Sequence, residues 1–519
     1  MQLRWLVVIS ASLVAPARAD DQTPAYTPPD FMSRPPPLPP GADASTAWRM
    51  DLAEALRIAM HQNFGIVVER ESVQIAHLGI TVAGGSFEPQ LLGSYLHSSA
   101  DQPPLVLQAG TAGEILTYGD DNWVLTASQK LSTGAKLGVT FYSDRASSSA
   151  GTAVEPLIYN SSLTLNFTQP VLRGFSADRV IPRIDILRAQ LGSERERAQL
   201  AISAMTVVEQ TEDAYWDVVG ALYSYDVDRQ SMQRAVDQLE LTKRQIAAGT
   251  APPSDLIGAE STRAQRDLTL VQAELTVEQA WDRLRAALNL PRDQWSRPIL
   301  PTEAPRFSAE HTTPEQALQV AIASRPELAQ VAIDLKNEEL SVRQAENNKL
   351  PEIDVSLSAG LLGQDNVYSG ALREFGRADA KTYGVGVNLI WTPLNRANTA
   401  AAEIERARQR VAVVNRDKAV QDTWSAVRDA VRNLSNAERQ VYAAGKSREL
   451  SEQTLDVEQR RFVAGNSSNI FVAQRQVEVA TAQLAELDAI LAHAKARAAL
   501  LHATGKLLDE RGIQLDLRK

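Results

Sequence analysis

The sequence contains the same pattern twice, and this internal duplication restricts the folds that the chain can adopt. Residues near the start of the first copy recur in the second at a constant offset of 262 positions: Ala55 with Ala317, Leu56 with Leu318, Ala59 with Ala321 and Pro89 with Pro351. Three more matches follow in the same order, as the offset falls to 212: 169–173 with 391–396, 246–249 with 462–465, and 285–288 with 497–500. Self-similarity of this kind predicts one structural unit used twice, with extra length in the strand region of the first copy.

Several segments alternate apolar residues with small polar ones, which is the signature of a β-strand. In the second copy the alternation is clearest in two runs: Ile353, Val355 and Leu357, and then Tyr383, Val385, Val387 and Leu389 between Thr382, Gly384, Gly386 and Asn388. In the first copy, Leu163, Leu165 and Phe167 follow the same rule. A strand of a water-soluble sandwich would also alternate in this way. The sequence, however, predicts few strands and no second sheet to cover their apolar faces.

Between the strand segments lie very long stretches that are predicted to be helical. The chain has no proline from residue 183 to 248, and none from residue 394 to its end. Apolar residues spaced three and four apart predict coiled-coil seams in both stretches: Met205, Val208, Tyr215, Val219 and Leu222, and then Val420, Trp424, Val427, Val431, Leu434 and Val441. A helix of ~70 residues is roughly 100 Å long, longer than an ordinary globular domain. We interpret both seams as core, without a cofactor.

The first 19 residues are predicted to be a signal peptide. Arg4 precedes an apolar stretch, and residues 17–19 form a small–x–small cleavage site. The apolar stretch is too short to span a bilayer as a helix, and no other uninterrupted apolar run reaches that length. Because the chain has no cysteine, it cannot carry an N-terminal lipid anchor. If this exported chain enters a membrane, it must do so with strands.

These patterns predict a division of the chain into five parts. The signal peptide, 1–19, is followed by a proline-rich extension, 20–47, to which we assign no function. The first repeat covers 48–310, the second covers 311–508, and 509–519 form a C-terminal tail.

Charge and motifs argue against nucleic-acid binding and against catalysis. The formal net charge of -10 leaves no basic surplus to neutralise phosphates. The six histidines are scattered, none at metal-ligand spacing, and we predict that each lies on a helix surface or in a strand. There is no nucleophile elbow, phosphate-binding loop or dinucleotide-binding loop. We therefore predict that the protein is not an enzyme and binds no metal or other cofactor.

Taken together, the elements resemble those of the TolC-like outer membrane efflux family. An open sheet edge is not tolerated in a bilayer, so a few strands must close with those of other subunits. The resemblance is carried by the duplicated Ala-Leu…Ala opening, the strand exit at 169–174 and the glycine-centred helical hairpins, and it covers roughly residues 48–508.

The resemblance implies an α+β membrane protein that forms a homotrimer, with four strands per subunit. Three subunits would then build a twelve-stranded β-barrel that continues as a long α-helical coiled-coil tunnel in the periplasm. The segment 87–170 departs from this pattern. It is longer than one hairpin requires, and residues 131–135 resemble an additional turn.

The function implied is that of an export duct in the outer membrane of a Gram-negative cell, serving a tripartite efflux or type I secretion system. Such a duct receives substrates from an inner-membrane pump of the RND or ABC type through a periplasmic adaptor protein. It contacts outer membrane lipid and extends into the periplasm.

The resemblance also implies functional residues at the periplasmic end. Gly249 and Gly465 would mark the helical tips that contact the adaptor, although an ordinary helix C-cap is an equally good interpretation of both. Asp255 matches the family's gate aspartate, six residues after the first tip glycine. Phe462 replaces a gate tyrosine, and Phe471 and Gln474 replace acidic residues that form a cation-binding ring. We therefore predict a hydrophobic gate at Phe471; the alternative is that Phe471 packs between helices.

A second class of function remains open at this point, namely a non-conducting coiled-coil structural protein of the periplasm or outer membrane. A duct requires small polar residues facing the lumen and apolar residues facing lipid. The alternation around Thr382–Leu389 favours the duct.

Overall fold

The computed structural model of the protein describes residues 36–40, 42, 45–102, 115–149, 157–249, 252–305, 307–310, 312–464 and 466–515. The predicted signal peptide, most of the proline-rich extension and Gly465 lie outside these residues.

The two halves of the chain have similar orders of helices and strands. The first half contains β1 (Trp48–Met50), α1 (Leu52–Gln62), α2 (Phe64–Gly84), β2 (Gln90–Gln102), β3 (Leu116–Lys130), β4 (Lys136–Ser148), β5 (Leu157–Pro170), α3 (Ile184–Ala247) and α4 (Ser254–Leu288). The second half contains β6 (Ile299–Pro301), α5 (Pro314–Ser324), α6 (Pro326–Asn348), β7 (Glu352–Asp365), α7 (Tyr368–Arg377), β8 (Ala380–Ile390), α8 (Arg396–Val463), α9 (Asn469–Ala503) and α10 (Leu507–Glu510). The two orders differ by β3 and β4 in the first half and by α7 and α10 in the second.

The main sheet has six antiparallel strands in the order β2-β3-β4-β5-β7-β8. The expectation of four strands per subunit is therefore wrong for this chain. The additional pair is the hairpin β3–β4, inserted between the strand that follows α2 and the strand that leads into α3. Its turn lies at 131–135, where the Leu131 amide donates to the Ala135 carbonyl at 2.7 Å and Gly134 adopts a φ of +89°, which costs glycine little.

Long helices form two hairpins, α3 with α4 and α8 with α9, and the proline-free stretches predicted α3, α8 and α9. The helices that open the two copies, α1 and α5, both begin at a side-chain cap. Asp51 accepts from the Glu54 amide at 2.6 Å, and Thr313 forms a reciprocal capping box with Gln316. Within the described residues, no helix combines the length and the apolar character needed to cross a membrane.

The predicted seam of the first copy is fully buried: Met205, Val208, Tyr215, Val219 and Leu222. The Tyr215 hydroxyl also donates to the Met50 carbonyl at 3.2 Å, which fixes the short parallel pair β1–β6 against α3.

The predicted seam of the second copy is only partly correct. Val427, Leu434 and Val441 are buried, but Val420 and Trp424 are 39% and 47% exposed. The buried cluster around Val427 is built with side chains of α5 and α9, and it does not extend to Val420 and Trp424. The spacing of apolar residues identified the apolar stripe of α8, but it did not show which part of that stripe another helix covers.

His493 contradicts the expectation that every histidine lies on a helix surface or in a strand. It is 1% exposed, and its ring lies 4.8 Å from that of Phe307, edge to face. Neither ring nitrogen has a hydrogen-bond partner among the described residues. Burial lowers the pKa of the imidazole, although the nearby carboxylates of Glu438 and Glu310 oppose this shift, so the ring is a neutral part of the core.

Candidate functional site

The six-stranded sheet has one apolar and one predominantly polar face, because successive side chains along a strand point to opposite sides. One row of paired residues crosses the apolar face: Leu91, Ala127, Val139, Leu165, Ala359 and Tyr383. On the other face, the hydroxyls of Thr126 and Thr140 are 3.2 Å apart, and the Tyr142 hydroxyl donates to Asn122 at 2.9 Å. The sheet is therefore suited to separate an apolar medium from an aqueous one.

The apolar face is open along β8. Tyr383, Val385 and Val387 are 79%, 80% and 69% exposed. Monomeric soluble proteins rarely expose contiguous apolar surface of this kind, which marks contact with a membrane or a partner.

Far from the helices, the same face becomes polar around Asp121. The Asp121 carboxylate accepts from the Tyr95 hydroxyl at 2.9 Å, lies 2.7 Å from the His97 ring nitrogen and 3.1 Å from the Arg145 guanidinium. The apolar band is thus bounded by a hydrogen-bonded charged cluster at the strand ends opposite the helices.

The connection between β7 and β8 folds back over this face as α7. A Cβ atom on Gly363 of β7 would lie 2.1 Å from the Ala371 carbonyl oxygen, so only glycine permits the approach. Two aromatic contacts fix the helix, Phe375 with Phe141 and Tyr368 with Tyr159. The far end of the sheet is therefore partly covered, whereas its edges are not.

The outer strands β2 and β8 each pair with one neighbour in the described sheet. Every residue of β2 is exposed, and so are nearly all of β8. An unpaired edge of this length is a template for pairing with another chain.

At the opposite end of the molecule, the hairpin α3–α4 reverses direction through Gly249. This glycine has a φ of +73°, and its amide donates to the Ile246 carbonyl at 3.0 Å, which closes the end of α3. Apart from its chain neighbours, no atom of the described residues lies within 4 Å of the position that a Cβ would take. The tip is therefore a helix C-cap by its geometry and is also freely accessible. The equivalent tip at Gly465 lies outside the described residues.

A cavity of about 480 Å³ lies beside this tip, between the start of α4 and the start of α9. It brings together two of the predicted gate residues, Asp255 and Gln474, which are more than 200 positions apart in the sequence. Asp255 lies in the first turn of α4, where a carboxylate interacts favourably with the positive end of the helix dipole.

The two phenylalanines of the predicted gate do not line this cavity. Phe462 lies half-buried in the last turn of α8, and Phe471 is 53% exposed in the first turn of α9. Within one chain, Asp255 and Gln474 therefore share the cavity, whereas the rings of Phe462 and Phe471 lie outside it.

The cavity also contains residues that the sequence analysis missed, notably Gln238, Arg266, Ile470 and Val477. Helical spacing could have found most of them. Asp255, Ala259, Thr262 and Arg266 are three or four residues apart on α4, as are Ile470, Ala473 or Gln474, and Val477 on α9, so each set shares one helix face. Gln238 comes from α3, and only the packing of the helices reveals it. Among the described residues, no group of three or more histidine or acidic side chains could hold a metal ion.

Comparison with known proteins agrees with this architecture. The family model described as outer membrane efflux protein matches residues 136–290 and 317–506, more than half of the chain. Outer membrane efflux protein BepC of Brucella suis biovar 1 is 23% identical over 338 residues, 64% of this chain and 71% of that protein. Pyoverdine export outer membrane protein OpmQ of Pseudomonas aeruginosa is 22% identical over 321 residues, 62% of this chain and 65% of that protein.

Solved structures share the fold at low identity. The CmeC outer membrane channel of Campylobacter jejuni is 12% identical, with a TM-score of 0.63 over 90% of both chains. The open state of the MtrE outer membrane channel of Neisseria gonorrhoeae is 16% identical, with a TM-score of 0.62 over 88% of this chain and 89% of that one. The helix-rich fold with one large sheet is thus that of outer membrane channels.

Proposed function

The chain belongs to the outer membrane efflux protein family, and on that premise we propose that it is an export duct of the outer membrane. The observation that carries the proposal is the two-faced sheet with open edges at one end of two long helical hairpins. Its exposed apolar face suits lipid, and its polar face suits an aqueous lumen. The family forms channels and is not one of enzymes, so we assign no catalytic role to any residue.

Trimerisation is the central part of this proposal. One sheet leaves two unpaired edges, each of which would be costly in lipid, and sheets of neighbouring copies can satisfy both. The helical hairpins of three copies would then continue the barrel as a tunnel into the periplasm. The two repeats, 48–310 and 311–508, would each contribute one hairpin to it.

The partners follow from the same reasoning. The related protein OpmQ is named for pyoverdine export. For this chain we propose a tripartite efflux or type I secretion assembly, in which an inner-membrane pump of the RND or ABC type delivers substrate. A periplasmic adaptor would contact the helical tips at Gly249 and Gly465. The accessible turn at Gly249 supports this assignment.

We further propose a hydrophobic gate at the periplasmic end. Phe471 lies near the tip and is half-exposed, so three copies could present three phenylalanine rings to the tunnel mouth. An apolar constriction can close a passage by excluding water. Phe462 carries no hydroxyl that could bond to Asp255, so Asp255 and Gln474 would act at the cavity that they share.

Two measurements on the full-length mature protein test the duct. Native mass measurement in mild detergent should give three copies, and the purified protein should form conducting channels in planar bilayers. A monomer that still inserts would contradict the trimer. A membrane-inserted trimer without conductance would instead support the non-conducting structural protein.

A further inference from the structure

The six-stranded sheet, together with its register, determines how copies of this chain can close. Resting on the proposed duct, we propose that β8 of one copy pairs with β2 of the next, and that the resulting trimeric barrel has eighteen strands instead of twelve. The occupant of each open edge is thus a second copy of this chain.

Strand direction permits this closure. β2 leaves the helical end of the molecule after α2, and β8 returns to it before α8. The neighbours β8 and β2 would therefore run antiparallel, like every other pair in the sheet. Closed membrane barrels of bacterial type are antiparallel throughout with an even number of strands, and this arrangement keeps both properties.

The additional hairpin has the same two faces as the rest of the sheet. On the apolar side, Leu125 of β3 pairs with Phe141 of β4, and Ala127 pairs with Val139. On the polar side, Thr126 and Thr140 share a hydrogen bond at 3.2 Å. A hairpin destined for water outside the barrel would gain nothing from an apolar face that continues that of β5, β7 and β8.

The hairpin is also anchored where the sheet meets the helices. Gln169 donates through its side-chain amide to the Thr133 carbonyl at 3.3 Å. A Cβ on Gly134 would lie 2.8 Å from the Gly174 carbonyl oxygen, so the turn packs closely on the segment that leads into α3. The turn and β4 are therefore fixed to the same base as β5.

The register across the sheet gives the tilt of the strands. A row of paired residues that starts at the helix-side end of β2 moves away from the helix-side strand ends as it crosses the sheet: Gln90, Ser128, Gly138, Asn166, Ser358 and Gly384. It reaches β8 six residues before Ile390, the helix-side end of that strand. The row that starts at Lys136 of β4 reaches Gly386, four residues before Ile390. The climb is therefore uneven from strand to strand and amounts to six residues over the whole sheet.

This climb fits a closed barrel. If the helix-side ends of all strands lie at the same height, each copy shifts the hydrogen-bond register by as many residues as it has strands. The total shear of three copies then equals the number of strands. Eight-stranded barrels with a shear of 8 have strands tilted by about 36°, and membrane barrels are tilted by about 35–45°. Because the register shift of six residues per copy is even, the apolar face of one copy continues that of the next. Leu91 of one copy meets Leu389 of the next, and Tyr95 meets Val385, all on the apolar face.

The consequence is a wider exit through the outer membrane. Barrel diameter grows roughly linearly with strand number, so eighteen strands give about one and a half times the diameter of twelve. The narrowest part of the duct would then lie at the helical tips and not in the membrane.

Cysteine pairs test which strands meet, and the chain has no native cysteine to interfere. A chain with Leu91→Cys and Leu389→Cys should give disulfide-linked dimers and trimers on mild oxidation in detergent. Two further pairs test the hairpin: Leu91→Cys with Ala127→Cys, and Val139→Cys with Leu165→Cys, should each link within one chain. A twelve-stranded closure that leaves β3–β4 outside the barrel would pair β2 with β5 and link neither. Leu357→Cys with Val385→Cys, which pair within one chain, is the positive control for oxidation.

The outcomes separate this inference from the proposed function. Absence of the Leu91–Ala127 and Val139–Leu165 links, or no links between Leu91 and Leu389 in intact trimers with a working positive control, would overturn the eighteen-stranded closure and leave the duct untouched. A protein that is monomeric by native mass would contradict the proposed function itself, and the inference with it.

Discussion

Arg511 and Glu212 form a two-pronged ion pair that attaches the C-terminal segment to α3. The Arg511 Nε donates to the Glu212 carboxylate at 3.0 Å, and its Nη2 donates to the other carboxylate oxygen. Glu212 is 1% exposed, and it also accepts from the Trp216 indole at 3.4 Å. A buried carboxylate that loses its paired cation keeps a charge that is costly to hold away from water.

Arg511→Ala should lower the free energy of unfolding by about 3–5 kcal/mol, the typical cost of leaving one member of a buried pair uncompensated. Thermal or urea unfolding of the detergent-solubilised protein measures this loss. Combining Glu212→Gln with Arg511→Gln should recover most of it, since no charge is then buried. Lys506→Ala, which removes the exposed pair with Asp509, should have an effect of about 0–1 kcal/mol. Equal losses in both single variants would contradict this account.

Asp213 should make stability depend on pH. Burial raises the pKa of its carboxyl to about 6, although Lys495 opposes the shift. The folded protein therefore binds this proton more tightly than the unfolded chain does. The resulting stabilisation is complete below the unfolded pKa of about 4 and is lost as the pH rises through about 6. Asp213→Asn removes this dependence, so the variant should gain stability relative to the parent protein as pH rises from 4 to 7. Parallel pH profiles of the two proteins would show that Asp213 does not titrate in this range.

Gly249→Val should abolish export while trimer assembly and membrane insertion persist. The φ of +73° costs a branched residue about 1–2 kcal/mol of strain, and the side chain would project from the tip proposed to contact the adaptor. Gly249→Asn is the control for backbone conformation, because asparagine tolerates positive φ, and it should retain more activity. An export assay in cells, with native mass measurement of the purified variants, checks this. Loss of insertion in the valine variant would assign Gly249 a structural role only.

Phe471→Ser should raise basal conductance severalfold, because a hydroxyl admits water where an apolar ring excludes it. Phe471→Asp should in addition introduce block by divalent cations, since three carboxylates would face the tunnel mouth. Single-channel recording in planar bilayers measures both effects. Leu450→Ser, at a similarly exposed apolar residue of α8 outside the cavity and the predicted gate, is the matched control and should conduct like the parent protein. Unchanged conductance in both Phe471 variants, with trimers intact, would place the gate elsewhere.

Gly363→Ala should displace α7 from the sheet, because the added methyl group would overlap the Ala371 carbonyl oxygen. Cleavage by trypsin at Arg373 and Arg377 should then become faster. Gly376→Ala, in the same helix but with no atom within 4 Å of its added Cβ, should leave the cleavage rate unchanged. Equal rates in all three proteins would mean that α7 moves freely in the parent.

The sequence by itself determined the type and order of the long elements. The proline-free stretches predicted α3 and α8, and alternation predicted β5, β7 and β8, because these signals depend only on local geometry of the backbone. The extra turn at 131–135 was visible for the same reason, since glycine and small polar residues mark turns.

Tertiary structure decided which residues those elements bring together. Only strand pairing shows that the hairpin β3–β4 joins one sheet of six, since register depends on neighbouring strands. Only helix packing buries His493 on α9 and leaves Trp424 on α8 open within one chain. Likewise, Asp255 and Gln474 share a cavity because α4 and α9 begin side by side, and no pattern along one helix records where another helix lies.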